Sequence, residues 1–460
     1  MNTGKILIVD DEKEMCISLS EIITEHGYKV LYTTDPLKVI DLVKSNNVSL
    51  LIMDVKMPRL NGMDLIRLIK REKSSLPIIM ITGYPFNPDI GIKRTFNAGK
   101  GGFVPADMRP AWENNNLSTA EMIKLVKKRI APRMPDNVEL GIEMHYDTEV
   151  NEKTAPEIAD ILADSKIYLA MITPGAHSHF AYGGIASLDP DERKKAEEFG
   201  MRTVDLAYGP LRKAWHPEVS KWPSYIIWNG SFGYDLATVG VQQMYQNLKE
   251  SIAKLCKYEE KEGGNLHFCF EPKPNEGHPA MLIPTVASAI LFWRKLEEEF
   301  NITRKKKGVN KEFGHSEMIG LDHIYDSVEE LDNNAMVHMH LNSQGYNDGI
   351  ILGGPGKYDI DHGTRVNGMN ITIAALIKKA GYIRWKGHDM QVRPYDNEEQ
   401  GIDRVIRSIL SWEACESAAS RLDSNQLMNY LSMRETAKAE DLMREALVDA
   451  ERTFDILYKR

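Results

Sequence analysis

Carboxylates and imidazoles gather where apolar runs end in this sequence. The segment HFCFEPKPNEGHPAMLIPTVASAILFW, residues 267–293, runs from an apolar stretch straight into EPKPNE. Glu271 and Lys273 lie two apart, so at the end of an extended strand they face the same side. A carboxylate and an ammonium placed together can hold a cation and polarise a substrate oxygen. In KEFGHSEMIGLDH, Glu312 and His315 lie three apart, close enough within one helical turn to share a site. HMHLNSQG places His340 at the end of another apolar run, KYDIDHG sets Asp359 and Asp361 two apart, and GHDMQVRP puts Asp389 at a further strand end. Donor sets rich in oxygen, with one or two imidazoles, favour magnesium, manganese or cobalt over structural zinc. Glu312 is well placed to bridge two such ions.

A second acidic group stands near the start. Asp10 and Asp11 follow the apolar run ILIV, Asp54 ends LLIMD, and Thr82 lies inside MITG. Three carboxylates converging on one edge repel unless a hard cation sits between them. A carboxylate beside magnesium is a plausible phosphoryl acceptor. For a single Asp, capping of the following helix is the simpler account; the ordered set DD, LIMDVKMPRLNG and MITG argues against it.

These groups need elements to position them. In the first 85 or so residues, strand patterns over 5–9, 30–33, 48–53 and 77–81 alternate with helical spacing over 12–26, 37–44 and 63–72. Such alternation implies right-handed crossovers and a parallel sheet. From about residue 90 further βα patterns follow, with strands expected over 138–145, 167–172, 203–207, 225–228, 266–271, 335–341 and 383–388. That count suits an eight-fold βα barrel, whose chemistry sits at the C-terminal ends of the strands. Residues 400–421 and 433–457 read as long C-terminal helices.

Composition narrows the class. The chain has 460 residues, 42% hydrophobic and 27% charged, with a net charge of -9. That is ordinary globular composition with no basic footprint for nucleic acid or an anionic membrane. Cys16, Cys256, Cys269 and Cys415 are scattered, as reduced cytosolic thiols are, and form no CxxC pair. The short apolar run at the N-terminus ends in acids, unlike a secretory signal, and no stretch approaches a membrane span. The expectation is a cytoplasmic protein that binds neither nucleic acid nor membrane.

Two resemblances follow from these motifs. Residues 4–84 resemble the receiver domain of response regulators. The resemblance implies that Asp54 is the phospho-acceptor, that Asp10 and Asp11 hold magnesium, that Thr82 is the switch hydroxyl, and that a histidine kinase is the partner. A receiver also needs a fifth strand ending in Lys, usually followed by Pro. In NAGKGGFVPADMRP, Ala106 and Asp107 stand at that place and Lys100 comes earlier, so the segment reads as incomplete. Residues 90–420 resemble the xylose isomerase family, most specifically in EPKPNE. ADMRPAW resembles that family's first βα segment and is assigned to the barrel.

The second resemblance implies two divalent cations, one held by Glu271, Glu312, His340 and Asp389 and the other by Glu312, His315, Asp359 and Asp361. It matches Lys273 to the lysine that supports hydride transfer, His145 in GIEMHYD to the ring-opening histidine, and Trp228 in YIIWNG to the wall of the substrate site. The chain departs from the family at His340, where an Asp is usual, and at Thr148, where the carboxylate supporting the histidine would stand; Asp147 is the expected substitute. TPGAHSHFAYGG replaces an aromatic-bearing segment. His177, His179 and His278 carry no assigned role.

The fold class expected is therefore α/β. It comprises a flavodoxin-like, receiver-type parallel sheet over residues 1–86, a TIM (β/α)8 barrel over 87–420 and a C-terminal helical arm over 421–460. The expected activity is metal-assisted hydride shift between C1 and C2 of an open-chain sugar, in a homo-oligomer. A sugar epimerase on the same barrel, or a phospho-regulated signalling protein with a sugar-binding barrel, are the alternatives.

Overall fold

A computed structural model of the chain describes residues 4–11, 13–54, 57, 65, 68–70, 72–73, 76–81, 117–136, 138–176, 179–180, 182–228, 230, 232–275, 278–344, 362–382, 384–390 and 396–459. Thr82, Lys100, Ala106, Asp107, His177, Asp359 and Asp361 lie outside the described residues. The chain divides into two compact units, Met1–Asn87 and Pro88–Arg460.

The first unit carries β1 (Lys5–Val9), α1 (Lys13–Glu25), β2 (Lys29–Thr33), α2 (Val39–Ser45), β3 (Val48–Asp54) and β4 (Ile78–Ile81). The four strands run parallel in the order β2-β1-β3-β4. Alternation along each strand feeds two cores. Leu7, Val9, Leu51 and Met53 pack with Val39 and Val43 on one face, and Ile6, Ile8 and Ile52 pack with Cys16 on the other. Both faces are covered, which is why ILIV and LLIM are continuous apolar runs. Val9 pairs with Met53, and Asp54 pairs with Ile81. Asp10 and Asp54 therefore emerge at the same edge, both buried, while Asp11 is exposed.

The described part of the second unit begins with α3 (Thr119–Leu125). It continues through β5 (Gly141–His145), α4 (Ala155–Ser165), β6 (Tyr168–Thr173), α5 (Pro190–Tyr208), β7 (Ser224–Trp228), α6 (Gly240–Glu262), β8 (His267–Glu271) and α7 (Val286–Phe300). Then come β9 (Lys307–Glu312), α8 (Phe313–Met318), α9 (His323–Asp332), β10 (Met336–His340), α10 (Gly368–Lys379), β11 (Lys386–Gly387) and α11 (Glu398–Arg421). The seven strands pair in chain order, every pair parallel, as a nearly closed barrel ringed by helices. Outward-facing aromatics fill the layer between strands and helices; the Tyr225 and Phe268 rings stack at 4.4 Å, and Trp293 Nε1 donates to the Gly308 carbonyl at 2.6 Å. The chain ends in α12 (Ser424–Ser432) and α13 (Thr436–Tyr458), the latter setting Ala446 and Ala450 against Trp412, Cys415 and Ala418 of α11. Among the described residues no helix is long and apolar enough to cross a membrane.

Two expectations are corrected. Residues 203–207, read as a strand, lie inside α5, whose buried residues Ala196, Phe199, Gly200, Thr203, Val204 and Ala207 recur at helical spacing. Asp189 starts that helix by accepting from the Asp191 backbone N–H at 2.9 Å, with Pro190 in its first turn. Conversely, β9 was not expected, because KGVNKE offers only one large apolar side chain. It is nonetheless buried throughout. Asn310 and Glu312 face the barrel interior. Lys311 faces outward, where its ammonium donates to the His323 carbonyl at 3.1 Å, bonds Ser327, and lies 3.7 Å from Glu330 on α9.

Burial, only partly offset by Lys311, pushes the Glu330 carboxyl up to about 8. Removing one partner of a buried pair leaves an uncompensated group, typically a loss of about 3–5 kcal/mol. Lys311→Met is expected to lower the unfolding free energy read from urea melts by up to about 3–5 kcal/mol, with the larger loss above pH 8, where Glu330 of the wild type is ionised. The double change Lys311→Met with Glu330→Met is expected to recover most of it.

Candidate metal centre

Parallel strands deliver their C-terminal residues to one end of the barrel. Glu271 ends β8, Glu312 ends β9, His340 ends β10 and Asp389 follows β11. The register sets them side by side. Glu312 pairs with His340, His340 with Gly387, and Glu271 with Trp228 of β7. His340 Nδ1 lies 3.0 Å from Glu271 Oε2, 3.4 Å from Glu312 Oε2 and 3.6 Å from Asp389 Oδ2. One ligand atom from each of these four buried residues falls within 4.8 Å of all the others.

Three carboxylates in so small a volume require positive charge among them. Among the described residues His340 contributes it. Burial works against its charged form, but Glu143 and Glu271 outweigh burial and hold its pKa well above the usual imidazole value. The donor set of three carboxylates and one imidazole fits a divalent cation of the magnesium, manganese or cobalt kind. Amides steady the carboxylates: Asn310 Nδ2 donates to Glu271 Oε2 at 2.6 Å, and Asn342 Nδ2 to Glu312 Oε1 at 2.9 Å.

His315, on α8, brings Nε2 to 3.1 Å from Glu312 Oε1. Its Nδ1 donates to the Pro272 carbonyl at 3.0 Å, which fixes the ring with Nε2 turned toward Glu312. Glu312 thus faces His340 with one oxygen and His315 with the other. The remaining expected partners of His315, Asp359 and Asp361, lie outside the described residues.

Lys273 is buried two residues beyond β8, and its Nζ sits 5.1 Å over the Trp228 ring. His145 ends β5 and is also buried. Its carboxylate partner is Glu149, not Asp147. Glu149 Oε2 accepts from the His145 backbone N–H at 2.7 Å and lies 3.2 Å from Nδ1. The chain turns back directly after the strand, with the Glu149 and Val150 N–H groups both donating to the His145 carbonyl, and this carries the fourth residue under the ring. Asp147, at φ 69°, faces His179 instead, Oδ2 to Nε2 at 3.3 Å.

Five contributors among the described residues carry no mark in the sequence reading: Glu143, His338, Asn310, Asn342 and Glu149. Glu143 and His338 stand two residues before His145 and His340, a spacing that puts each pair on one strand face. Glu143 accepts from both imidazoles, and a second group of possible ligands, Glu143, His338 and His340, adjoins the first.

His340 gives the metal-free protein a definite pH dependence. Because its folded pKa is raised, its stabilisation is complete below the unfolded value of about 6.5 and fades as pH rises through the folded value. In chelator-treated protein the thermal midpoint is expected to fall from pH 6.5 upward. His340→Gln is expected to flatten that slope, which differential scanning calorimetry across the window would register.

Comparison with known proteins gives relatives for both units. Residues 6–109 match the family model of the response regulator receiver domain, so the matched span runs past residue 86. The xylose isomerase of Thermus thermophilus is 24% identical over 249 residues, 51% of this chain and 60% of that protein. The xylose isomerase of Thermus caldophilus is 25% identical over 252 residues, 51% of this chain and 61% of that one. The chain thus spans about three fifths of the length of these relatives. Among solved structures, a response regulator protein of Thermotoga maritima in complex with Mg(2+)-BeF matches at 31% identity, with 18% of this chain and 70% of that one covered and a TM-score of 0.17. The apo 3-keto-D-glucoside 4-epimerase of E. coli matches at 11% identity, covering 64% and 96%, with a TM-score of 0.40. The chain joins an N-terminal receiver-type segment to a parallel βα barrel homologous, at 24–25% identity, to xylose isomerases.

Proposed function

We propose that the barrel is a divalent-metal-dependent sugar isomerase that interconverts an aldose and its ketose by moving hydrogen between C1 and C2. The observation that carries this reading is the buried set Glu271, Glu312, His340 and Asp389, all within 4.8 Å at the C-terminal strand ends. A divalent cation held there supplies Lewis acidity toward the sugar's carbonyl and hydroxyl oxygens. Glu312 and His315, with Asp359 and Asp361, are the proposed holders of a second ion.

The other residues bind, orient and shield. His145 acts at ring opening. Glu149 takes its Nδ1–H and leaves Nε2 as the acceptor for the proton of the anomeric hydroxyl. Lys273 donates toward O1, where charge develops as the C2 hydrogen moves with its electron pair to C1; the O2 hydroxyl gives up its proton as C2 becomes the carbonyl, and O1 takes one up. Trp228 lies against that ammonium and keeps water from the transferring hydrogen.

The test is ketose formation from a panel of pentoses, hexoses and deoxyhexoses, with and without manganese or magnesium. Turnover that needs the ion is expected, as is a fall of about 10²–10³-fold in kcat for Lys273→Met, the scale set by loss of one electrostatic donor. Conversion of a ketose to its C3 or C4 epimer instead would select an epimerase on the same barrel. No product from any sugar overturns the isomerase reading.

For the N-terminal unit we propose Asp54 as phosphoryl acceptor, with Asp10 and Asp11 holding magnesium and a histidine kinase as donor. Incubation with acetyl phosphate and magnesium should add one phosphoryl group, seen by mass spectrometry of the intact chain and lost in Asp54→Asn. An unmodified wild-type chain counts against it.

A further inference from the structure

His340 has two faces. Nδ1 looks toward Glu271, Glu312 and Asp389, while Nε2 lies 3.0 Å from Glu143 Oε2, on the opposite side of the ring. Which nitrogen carries the proton decides whether Nδ1 can bind an ion. We infer that Glu143 is a positioning residue, fixing the proton of His340 on Nε2 so that Nδ1 presents its lone pair to the cation held with Glu271, Glu312 and Asp389. This rests on the reading of that group as a cation site.

The polarity of a buried hydrogen-bond chain supports the assignment. It begins at Arg384, whose guanidinium can only donate. Arg384 Nη2 donates to Ser224 Oγ at 2.9 Å, and the same side chain is anchored on the Val337 and Ser220 carbonyls at 2.7 and 2.8 Å. With its oxygen engaged as acceptor, the Ser224 hydroxyl directs its hydrogen to His338 Nδ1, 2.9 Å away. With Nδ1 accepting from that hydroxyl, the His338 proton sits on Nε2. That N–H donates to Glu143 Oε1 at 2.9 Å. The other oxygen of Glu143 then accepts from His340. Each Glu143 oxygen thus faces one imidazole nitrogen, Oε1 toward His338 and Oε2 toward His340, and the carboxylate accepts on both sides.

The backbone is shaped for this contact. A Cβ at position 387 would lie 2.2 Å from Glu143 Oε1 and 2.8 Å from His340 Cδ2, so only glycine on β11 lets the carboxylate reach across.

Glu143→Gln tests the idea at nearly constant shape. A carboxamide has one accepting oxygen and one donating nitrogen. His338 is pinned by Ser224 and keeps its N–H, so the amide nitrogen must face His340 and push the ring proton to Nδ1. Metal-stripped protein would be titrated with cobalt(II) and followed by its visible absorption. The variant is expected to bind the first equivalent about 10–100-fold more weakly than wild type, the usual scale for a lost second-sphere partner. Equal affinity and an equal spectrum would overturn the positioning role while leaving the cation site standing. No cobalt uptake by wild type would overturn the cation site and the inference with it. Should the variant not fold by circular dichroism, 15N-histidine spectra of the magnesium-loaded wild type decide, with His340 assigned by its loss in His340→Asn. A proton on Nε2 supports the inference and a proton on Nδ1 refutes it.

Discussion

Like charges buried together dominate the barrel. Glu271, Glu312 and Asp389 are withdrawn from water and crowded around one imidazole. Isolated, each would protonate, since desolvation penalises the ionised form. The surroundings oppose that outcome. Asn310 and Asn342 donate to two of the carboxylates, and the imidazole ring among them is gripped from behind by Glu143. The C-terminal end of the barrel is therefore a polar network set above the apolar layers that fill such a barrel. Apolar filling persists one layer down, where Met171, Ile226 and Cys269 pack together.

Much of this was legible in the sequence. An apolar run that stops at an acid or a histidine recurs at Glu271, His340 and Asp389, and the parallel-strand rule turns the recurrence into convergence. The same rule located Asp10 and Asp54 on one edge. What escaped notice escaped for identifiable reasons. β9 carries lysines and an asparagine because both its faces meet polar partners, Glu330 outside and Glu271 inside, so the hydrophobic pattern that normally marks a buried strand is missing. Residues 203–207 are apolar enough for a strand, but their burial continues the spacing of α5. Glu149 is not legible because the related family's spacing points to the third residue after the histidine, whereas the turn after β5 brings the fourth back to the imidazole. Glu143 was unreadable for a different reason. Its value depends on Gly387 and His338, which are distant in sequence and adjacent only once the strands have closed on one another.

The two units use one architectural principle at different scales. In each, parallel strands end at a common edge, and the acids there are supplied by separate βα units. In the smaller unit two strands supply the buried pair Asp10 and Asp54. In the larger, four strands supply the donors, and the neighbours of those strands supply the groups that orient them.

The strand order has a consequence for how the protein is made. Because the barrel strands pair in chain order, the four donors appear on the growing chain one βα unit at a time, Glu271 first and Asp389 last. A chain still on the ribosome holds an incomplete donor set until the residues around Asp389 have emerged and β11 has docked beside β10. A cation that needs all four donors would therefore find them together only in the finished barrel.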